Sequence, residues 1–267
     1  MSILIDSHAH LDFEAYREDR EKVIQRCQAK HMRVINVGAQ YNTSKLAVEL
    51  SQEYDWLYAT VGLHPIHVYD EDFLVEKYQA LIDNKERVVA IGECGFDYFY
   101  IKESNKTLIE IKVKQKEVFI KQIQLAKQNN LPLMLHGRNG KNGELAYQDI
   151  LSVLKEQDCH HGMIHCFGGN MEEAKGFLEQ GLYIGFTGII TFKKKAEELQ
   201  EIAKMVPIDK IIIETDSPYL SPEPYRGERN EPVNVEFVAR KIADLKNMSY
   251  EEVVDQTGQN SINLFNL

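Results

Sequence analysis

The chain predicts an α/β fold, specifically a (β/α)8 TIM-type barrel with an extra C-terminal helix, on three observations. Short β-rich apolar runs alternate with longer amphipathic stretches about eight times along the chain, the signature of parallel β/α units. Most of these runs are apolar throughout rather than alternating, as strands covered on both faces must be. The length of 267 residues is close to the roughly 250 typical of this barrel. A doubly wound open sheet has the same periodicity and is the structural alternative.

Taken in order, the strands are expected at Ile3 to Ser7, Arg33 to Gly38, Leu57 to Gly62, Val88 to Gly92, Leu131 to Leu135, Gly162 to Ile164, Tyr183 to Phe186 and Ile211 to Glu214. Between them, Val118 to Gln128 puts Val118, Ile120, Ile123, Leu125 and Ala126 roughly on one helical face, and Met171 to Glu179 is a helix closed by Gly181. Val233 to Leu245 and Ser249 to Phe265 are two helices with no strand between them, and Ser249 followed by Glu252 is a capping box opening the last. Two loops are distinctive: Asp97 to Lys116, rich in Lys and Glu, and Ser217 to Pro232, which holds four of the seven prolines with Arg226 and Arg229. Long loops in a compact barrel are often functional. With no low-complexity tract, short repeat or Pro/Gly-rich linker, one domain over residues 1–267 is the economical reading.

Composition narrows the function classes. The chain has 31 Lys+Arg against 41 Asp+Glu, a net charge of -10, so a polyanionic substrate would have to be attracted locally rather than by a broad basic face. No basic leader precedes an apolar stretch, and no run approaches the ~18 apolar residues of a membrane span. The expectation is therefore a cytoplasmic protein without a membrane segment. Cys27, Cys94, Cys159 and Cys166 have neither CxxC spacing nor the density of a disulfide framework and read as reduced thiols.

The chemistry-bearing residues cluster by position. His8 and His10 follow the first strand, Glu93 the fourth, His136 the fifth, His165 the sixth and Asp216 the eighth, and barrel active sites assemble at the C-terminal ends of strands. His8 and His10, two apart, also point the same way from an extended chain. Imidazoles and carboxylates gathered at one mouth would carry a desolvation cost without a partner. Six ligands exceed what one tetrahedral ion takes, so two divalent ions with a bridging carboxylate, Glu93 or Asp216, are expected. Mixed nitrogen and oxygen ligation favours zinc, manganese, cobalt or nickel over calcium, with magnesium also open for turnover.

Several stretches carry a family resemblance: Asp6-Ser7-His8-Ala9-His10-Leu11-Asp12, Gly62-Leu63-His64-Pro65, Ala90 to Tyr98, Leu131 to Arg138, Ile164-His165-Cys166-Phe167, Glu214 to Leu220 and Asn230-Glu231-Pro232. Each is weak alone, but the ordered set resembles a TatD-family metal-dependent deoxyribonuclease of the amidohydrolase-like barrel group, over nearly the whole chain. The resemblance implies that His8, His10 and Asp216 bind one ion, that His136 and His165 bind the other, and that Glu93 bridges them. It also puts His64 near the ions, against phosphate or water, although a histidine there can instead cap the turn before Pro65. The segment from Phe99 to Ile111 is longer than the family's usual link, and Gly168 stands where the family often has serine; both bear on substrate preference rather than chemistry.

The implied activity is hydrolysis of DNA phosphodiesters by water activated between two ions, with Asp216 and Glu93 as the catalytic carboxylates and Asp216 assisting deprotonation. Arg138, Arg226 and Arg229 are candidate phosphate contacts, and Lys193-Lys194-Lys195 is a further basic run that a solvated face would equally explain. Two other functions fit the same ligands: a barrel hydrolase acting on an amide, ester, lactone or aminoacyl-RNA, and a non-catalytic metal-binding barrel. A glutamate at the end of strand four, where cyclic-amide hydrolases of the wider group often carry a carboxylated lysine, weighs against those cyclic-amide members.

Overall fold

The structure is a computed structural model that describes residues 3–83, 86–99 and 106–267. Among these residues, eight strands form one parallel sheet in sequential order: β1 (Ile5–Ala9), β2 (Arg33–Val37), β3 (Leu57–Val61), β4 (Val88–Asp97), β5 (Leu133–Arg138), β6 (Gly162–Ile164), β7 (Tyr183–Phe186) and β8 (Ile211–Ile213). Helices α1 (Arg20–Ala29), α2 (Tyr41–Glu53), α3 (Val75–Ile82), α4 (Leu108–Asn129), α5 (Ala146–Glu156), α6 (Met171–Glu179) and α7 (Glu197–Met205) connect them, and α8 (Val235–Lys246) and α9 (Tyr250–Phe265) follow β8. None of the described helices is long and apolar enough to cross a membrane.

The first and last strands meet, which an open doubly wound sheet does not allow. Ala9 and Ser217 form a parallel bridge. Around it the Asp216 N–H donates to the His8 carbonyl at 2.9 Å and the His10 N–H to the Ser217 carbonyl at 2.8 Å. The buried Asp6 carboxylate staples the same seam, accepting the Thr215 N–H at 2.8 Å and the Thr215 hydroxyl at 2.6 Å.

Side-chain alternation along the strands stacks the interior in layers. Ile35, Val37, Val89, Met134, Met163 and Ile212 form one buried apolar cluster with Leu264 and Phe265 from the end of α9. Two residues further along their strands, Met134 leads to His136, Met163 to His165 and Ile212 to Glu214, so polar chemistry sits one layer above an apolar floor. The larger cluster lies between the strands and the outer helices and includes Val34, Leu57, Leu133, Leu135, Ile184 and Ile211. Burying each such aliphatic side chain stabilises the fold by about 1.5–3 kcal/mol.

Several boundaries differ from the sequence expectation. Strands β1, β4 and β5 run on to Ala9, Asp97 and Arg138, because polar side chains that face a barrel mouth continue the ladder instead of ending it. His8, Glu93 and His136 therefore lie within the last turns of their strands rather than after them. Helix α4 begins at Leu108, ten residues before the expected Val118, so residues 108–116 of the expected loop from Asp97 to Lys116 are helix. A Thr107–Glu110 capping box opens α4, but Ile109 and Val113 are 74% and 64% exposed, and these solvent-facing apolar residues blur the periodicity of its first turns. Residues 100–105 of the atypical segment after Phe99 lie outside the described residues.

Candidate metal centre

Every histidine and carboxylate expected at the mouth is there, brought together from β1, β4, β5 and the segments after β6 and β8. Four atoms converge on the first side of it. His8 Nε2 lies 3.2 Å from His10 Nε2, 3.7 Å from Asp216 Oδ1 and 3.5 Å from Glu93 Oε2. His10 Nε2 lies 3.4 Å from Asp216 Oδ1 and 3.9 Å from Glu93 Oε2. A cation with bonds of about 2.0–2.1 Å holds tetrahedral ligand atoms roughly 3.3–3.4 Å apart, so these separations are those of a coordination sphere's edges.

The tautomer of His10 fits the same purpose. Its Nδ1–H donates to the Val37 carbonyl at 2.8 Å, which directs Nε2 at the group, the outer hydrogen bond that metal-bound histidines require. Asp216 adopts a left-handed φ of 56°, and Cys166, beside His165, one of 43°, a conformation that non-glycine residues adopt sparingly and mostly where the surroundings impose it.

The opposite oxygen of Glu93 faces a second group. Oε1 lies 2.7 Å from His136 Nδ1, 3.4 Å from His165 Nε2 and 3.6 Å from His64 Nε2. Here His136 makes a direct hydrogen bond to Glu93, and its Nε2 lies 3.1 Å from Asp97 Oδ2. The ring is thus held between two carboxylates. His64 serves both expectations made of it: its Nδ1 accepts the Ile66 N–H at 3.2 Å, capping the turn that starts at Pro65, while its other nitrogen faces Glu93.

Electrostatics follow from this crowding. Burial alone would raise the Glu93 carboxyl, but the surrounding imidazoles of His64, His165 and His8 and the hydrogen bond from His136 hold it well below the usual carboxylate range. Burial opposes the charge on His10, yet Asp216, Glu93 and Asp12 outweigh it and raise its pKa to about 9. Burial likewise opposes charge on His136, and Asp97 and Glu93 raise it to about 10. His8 is lowered by burial and by His165, against which its ring stacks at 3.6 Å. His64 is lowered by burial and by His136 to about 3, so it is a neutral ring. Without cations the cluster therefore satisfies its carboxylates with protons on His10 and His136, the protons that divalent ions would replace.

The cluster lines the floor of a cleft of about 650 Å³. Its lining includes the apolar and aromatic Phe13, stacked on His10 at 4.3 Å, with Ile66, Ile189, Tyr219 and Leu220. It also includes Phe99 and Arg138, whose guanidinium lies over that ring at 3.8 Å, while Lys141, outside the lining, lies over the same ring at 4.1 Å. Arg226 and Arg229, expected as phosphate contacts, do not line it. Arg229 makes a fork to both oxygens of Asp19 at 2.7 Å, and Arg226 lies over Phe192 at 4.2 Å. The run Lys193 to Lys195 is exposed and also outside the lining.

Asp97 and Glu214 belong to the site without having been singled out in the sequence. Both were discoverable from spacing, since Asp97 stands four residues past Glu93 on one strand and Glu214 two before Asp216, positions that share a face in extended chain.

A sequential (β/α)8 barrel whose mouth gathers imidazoles and carboxylates at coordination distances defines a metal-dependent hydrolase. The family model described as TatD related DNase matches residues 5–266, and the chain belongs to that family. It is 41% identical to the uncharacterized metal-dependent hydrolase YabD of Bacillus subtilis, over 99% of this chain and 100% of that one. It is 36% identical to the uncharacterized metal-dependent hydrolase YcfH of Escherichia coli K12, over 99% of this chain and 96% of that one. Among solved structures, YJJV, a TatD homolog from Escherichia coli K12, superimposes with a TM-score of 0.87 at 27% identity, covering 99% of this chain and 98% of its own.

Proposed function

We propose that this hydrolase cleaves phosphodiester bonds of a nucleic acid, DNA in the first instance, with two divalent cations, zinc, manganese or magnesium. His8, His10 and Asp216 would hold one, His136 and His165 the other, and Glu93 would bridge them. The observation that carries this reading is the division of labour within Glu93: Oε2 faces His8 and His10 at 3.5 and 3.9 Å, while Oε1 faces His136 and His165 at 2.7 and 3.4 Å. Paired cations neutralise charge developing on phosphate oxygens and lower the pKa of water from 15.7 to about 7.

The chain's own groups do the rest. Water attacks phosphorus in line and passes a proton to the Asp216 carboxylate, and the bond to the leaving oxygen breaks, that oxygen taking up a proton to depart as an alcohol. His64, whose Nδ1 is occupied as an acceptor by the Ile66 N–H, keeps its proton on Nε2 and offers it to a non-bridging phosphate oxygen. Arg138 contacts a neighbouring phosphate, and Phe13 and Tyr219 offer ring faces to a base, the combination by which unpaired nucleic acid is held. These local contacts supply what the net charge of -10 withholds.

The test is to offer single- and double-stranded DNA, RNA, aminoacyl-RNA and a lactone side by side, each with manganese, magnesium or zinc. Cleavage of the DNA substrates is expected to exceed turnover of the carbonyl substrates. Turnover of a lactone or aminoacyl ester with intact DNA would overturn the reading in favour of a carbonyl hydrolase.

A further inference from the structure

Beneath the cluster, on the side away from the cleft, three buried atoms have no hydrogen-bond partner among the described residues: His8 Nδ1, His165 Nδ1 and Glu214 Oε2. They are not scattered. One nitrogen of each histidine and one oxygen of Glu214 lie within 4.8 Å of one another, and His165 Nδ1 is 3.2 Å from Glu214 Oε1. The two rings stack with centroids 3.6 Å apart and planes 19° from parallel. Their Nε2 atoms face the mouth, toward Glu93 and Asp216, so their Nδ1 atoms face the interior.

The chain makes room for Glu214 there. It is fully buried, its Oε1 accepts the Cys166 N–H at 2.5 Å, and β7 presents Gly185, where a Cβ would come within 2.5 Å of that same oxygen. A buried carboxylate needs donors, and a carboxylate has two oxygens for the two imidazole N–H groups beside it.

We infer that Glu214 is a shared positioning residue: it takes the Nδ1–H of both His165 and His8, directly or through one buried water, and so turns the lone pairs of both Nε2 atoms toward the mouth. Carboxylates that orient metal-bound histidines are a general device. Here one carboxylate serves a histidine of each proposed ion, which ties the two ions together from below. An inner cation bound by the same three residues is incompatible with this arrangement, because it would take the Nδ1 lone pairs and leave protons on the Nε2 atoms that the mouth needs. The inference rests on the two-ion reading above.

The experiment compares the wild-type chain with Glu214→Gln, which offers one acceptor and adds a donor, and with Gly185→Ala, which crowds the carboxylate without altering it. Zinc and manganese binding is measured by equilibrium dialysis, and imidazole nitrogen spectra are recorded on histidine-labelled protein. Both variants are expected to bind metal about 10–100-fold more weakly. In the zinc-loaded wild type, His8 and His165 are expected as the Nδ1–H tautomer, with that signature lost in Glu214→Gln. The wild-type spectra test the idea even if neither variant folds: the Nε2–H tautomer at either histidine overturns it. Unchanged affinity and spectra in Glu214→Gln overturn it while the two-ion reading stands. A third tightly held equivalent that disappears in Glu214→Gln overturns it in favour of an inner cation. A wild-type chain with no metal affinity overturns both readings together.

Discussion

The Asp216 N–H donates to the His8 carbonyl at 2.9 Å, and that bond brings together two side chains more than two hundred residues apart in the chain. It closes the barrel between β1 and the segment after β8, and in doing so sets the Asp216 carboxylate beside the His8 and His10 rings. Barrel closure and site assembly are therefore one event.

Asp6 holds that seam from below, and its removal should be felt in both stability and metal uptake. Asp6→Ala leaves the buried Thr215 N–H without its acceptor and its hydroxyl with only the His8 carbonyl at 3.4 Å, a loss of about 1–3 kcal/mol. The expected result is a lower urea midpoint with an unchanged slope, together with weaker zinc binding; an unchanged midpoint would show that the seam does not depend on Asp6.

The two halves of the proposed centre are unequally prepared. The atoms around His8 and His10 already stand at coordination separations, whereas His136 is hydrogen-bonded to Glu93 at 2.7 Å and must move off it. Calorimetric titration with manganese should resolve two steps, the tighter lost in His10→Ala and the weaker in His136→Ala. A single step unaffected by His10→Ala would contradict the assignment.

Removing the bridge should be severe and local. Glu93→Gln is expected to lower hydrolysis by about a hundred- to a thousandfold, the scale for a removed charge-stabilising group, with an unaltered circular dichroism spectrum. Full activity in this variant would remove Glu93 from the proposed chemistry.

The pKa values give a stability profile whose sign is fixed. In the metal-free chain His10 and His136 lie at about 9 and about 10, above their ordinary 6.5, so the stability from their protonation is complete below pH 6.5 and lost as pH rises to about 9 to 10. Bound cations replace those protons and abolish the loss. Denaturation at pH 6.5 and 9.5, with chelator or with saturating metal, should show the fall in the chelated chain alone.

Legibility in the sequence differed between backbone and side chains. Eight apolar runs such as Ile211-Ile212-Ile213 carry the barrel openly, because a doubly covered parallel strand has nothing polar to hide. The strand ends were less readable, since polar residues such as Asp97 and Arg138 continue the ladder into the mouth. The six proposed ligands stood out through residue type and position. Asp97 and Glu214 did not, as a carboxylate acting through a histidine looks in sequence like any acidic residue. Arg229 misled because nothing in the local sequence reveals Asp19 across 210 positions.

Two of the three arginine expectations can now be separated by kinetics. Arg138→Ala should raise KM for a DNA substrate about tenfold, the loss of one charged hydrogen bond, with kcat little changed. Arg229→Ala should leave KM alone and cost less than about 1 kcal/mol of stability, because its pair with Asp19 is partly exposed. A raised KM in Arg229→Ala would return that residue to the substrate site.

The most direct measurement is cleavage of single-stranded DNA by the metal-free chain as manganese is added back in counted equivalents. Activity should be absent with chelator, rise with added metal and level off at two equivalents per chain. Cleavage that persists in chelator, or no cleavage at any manganese, magnesium or zinc concentration, would contradict a two-cation phosphodiesterase.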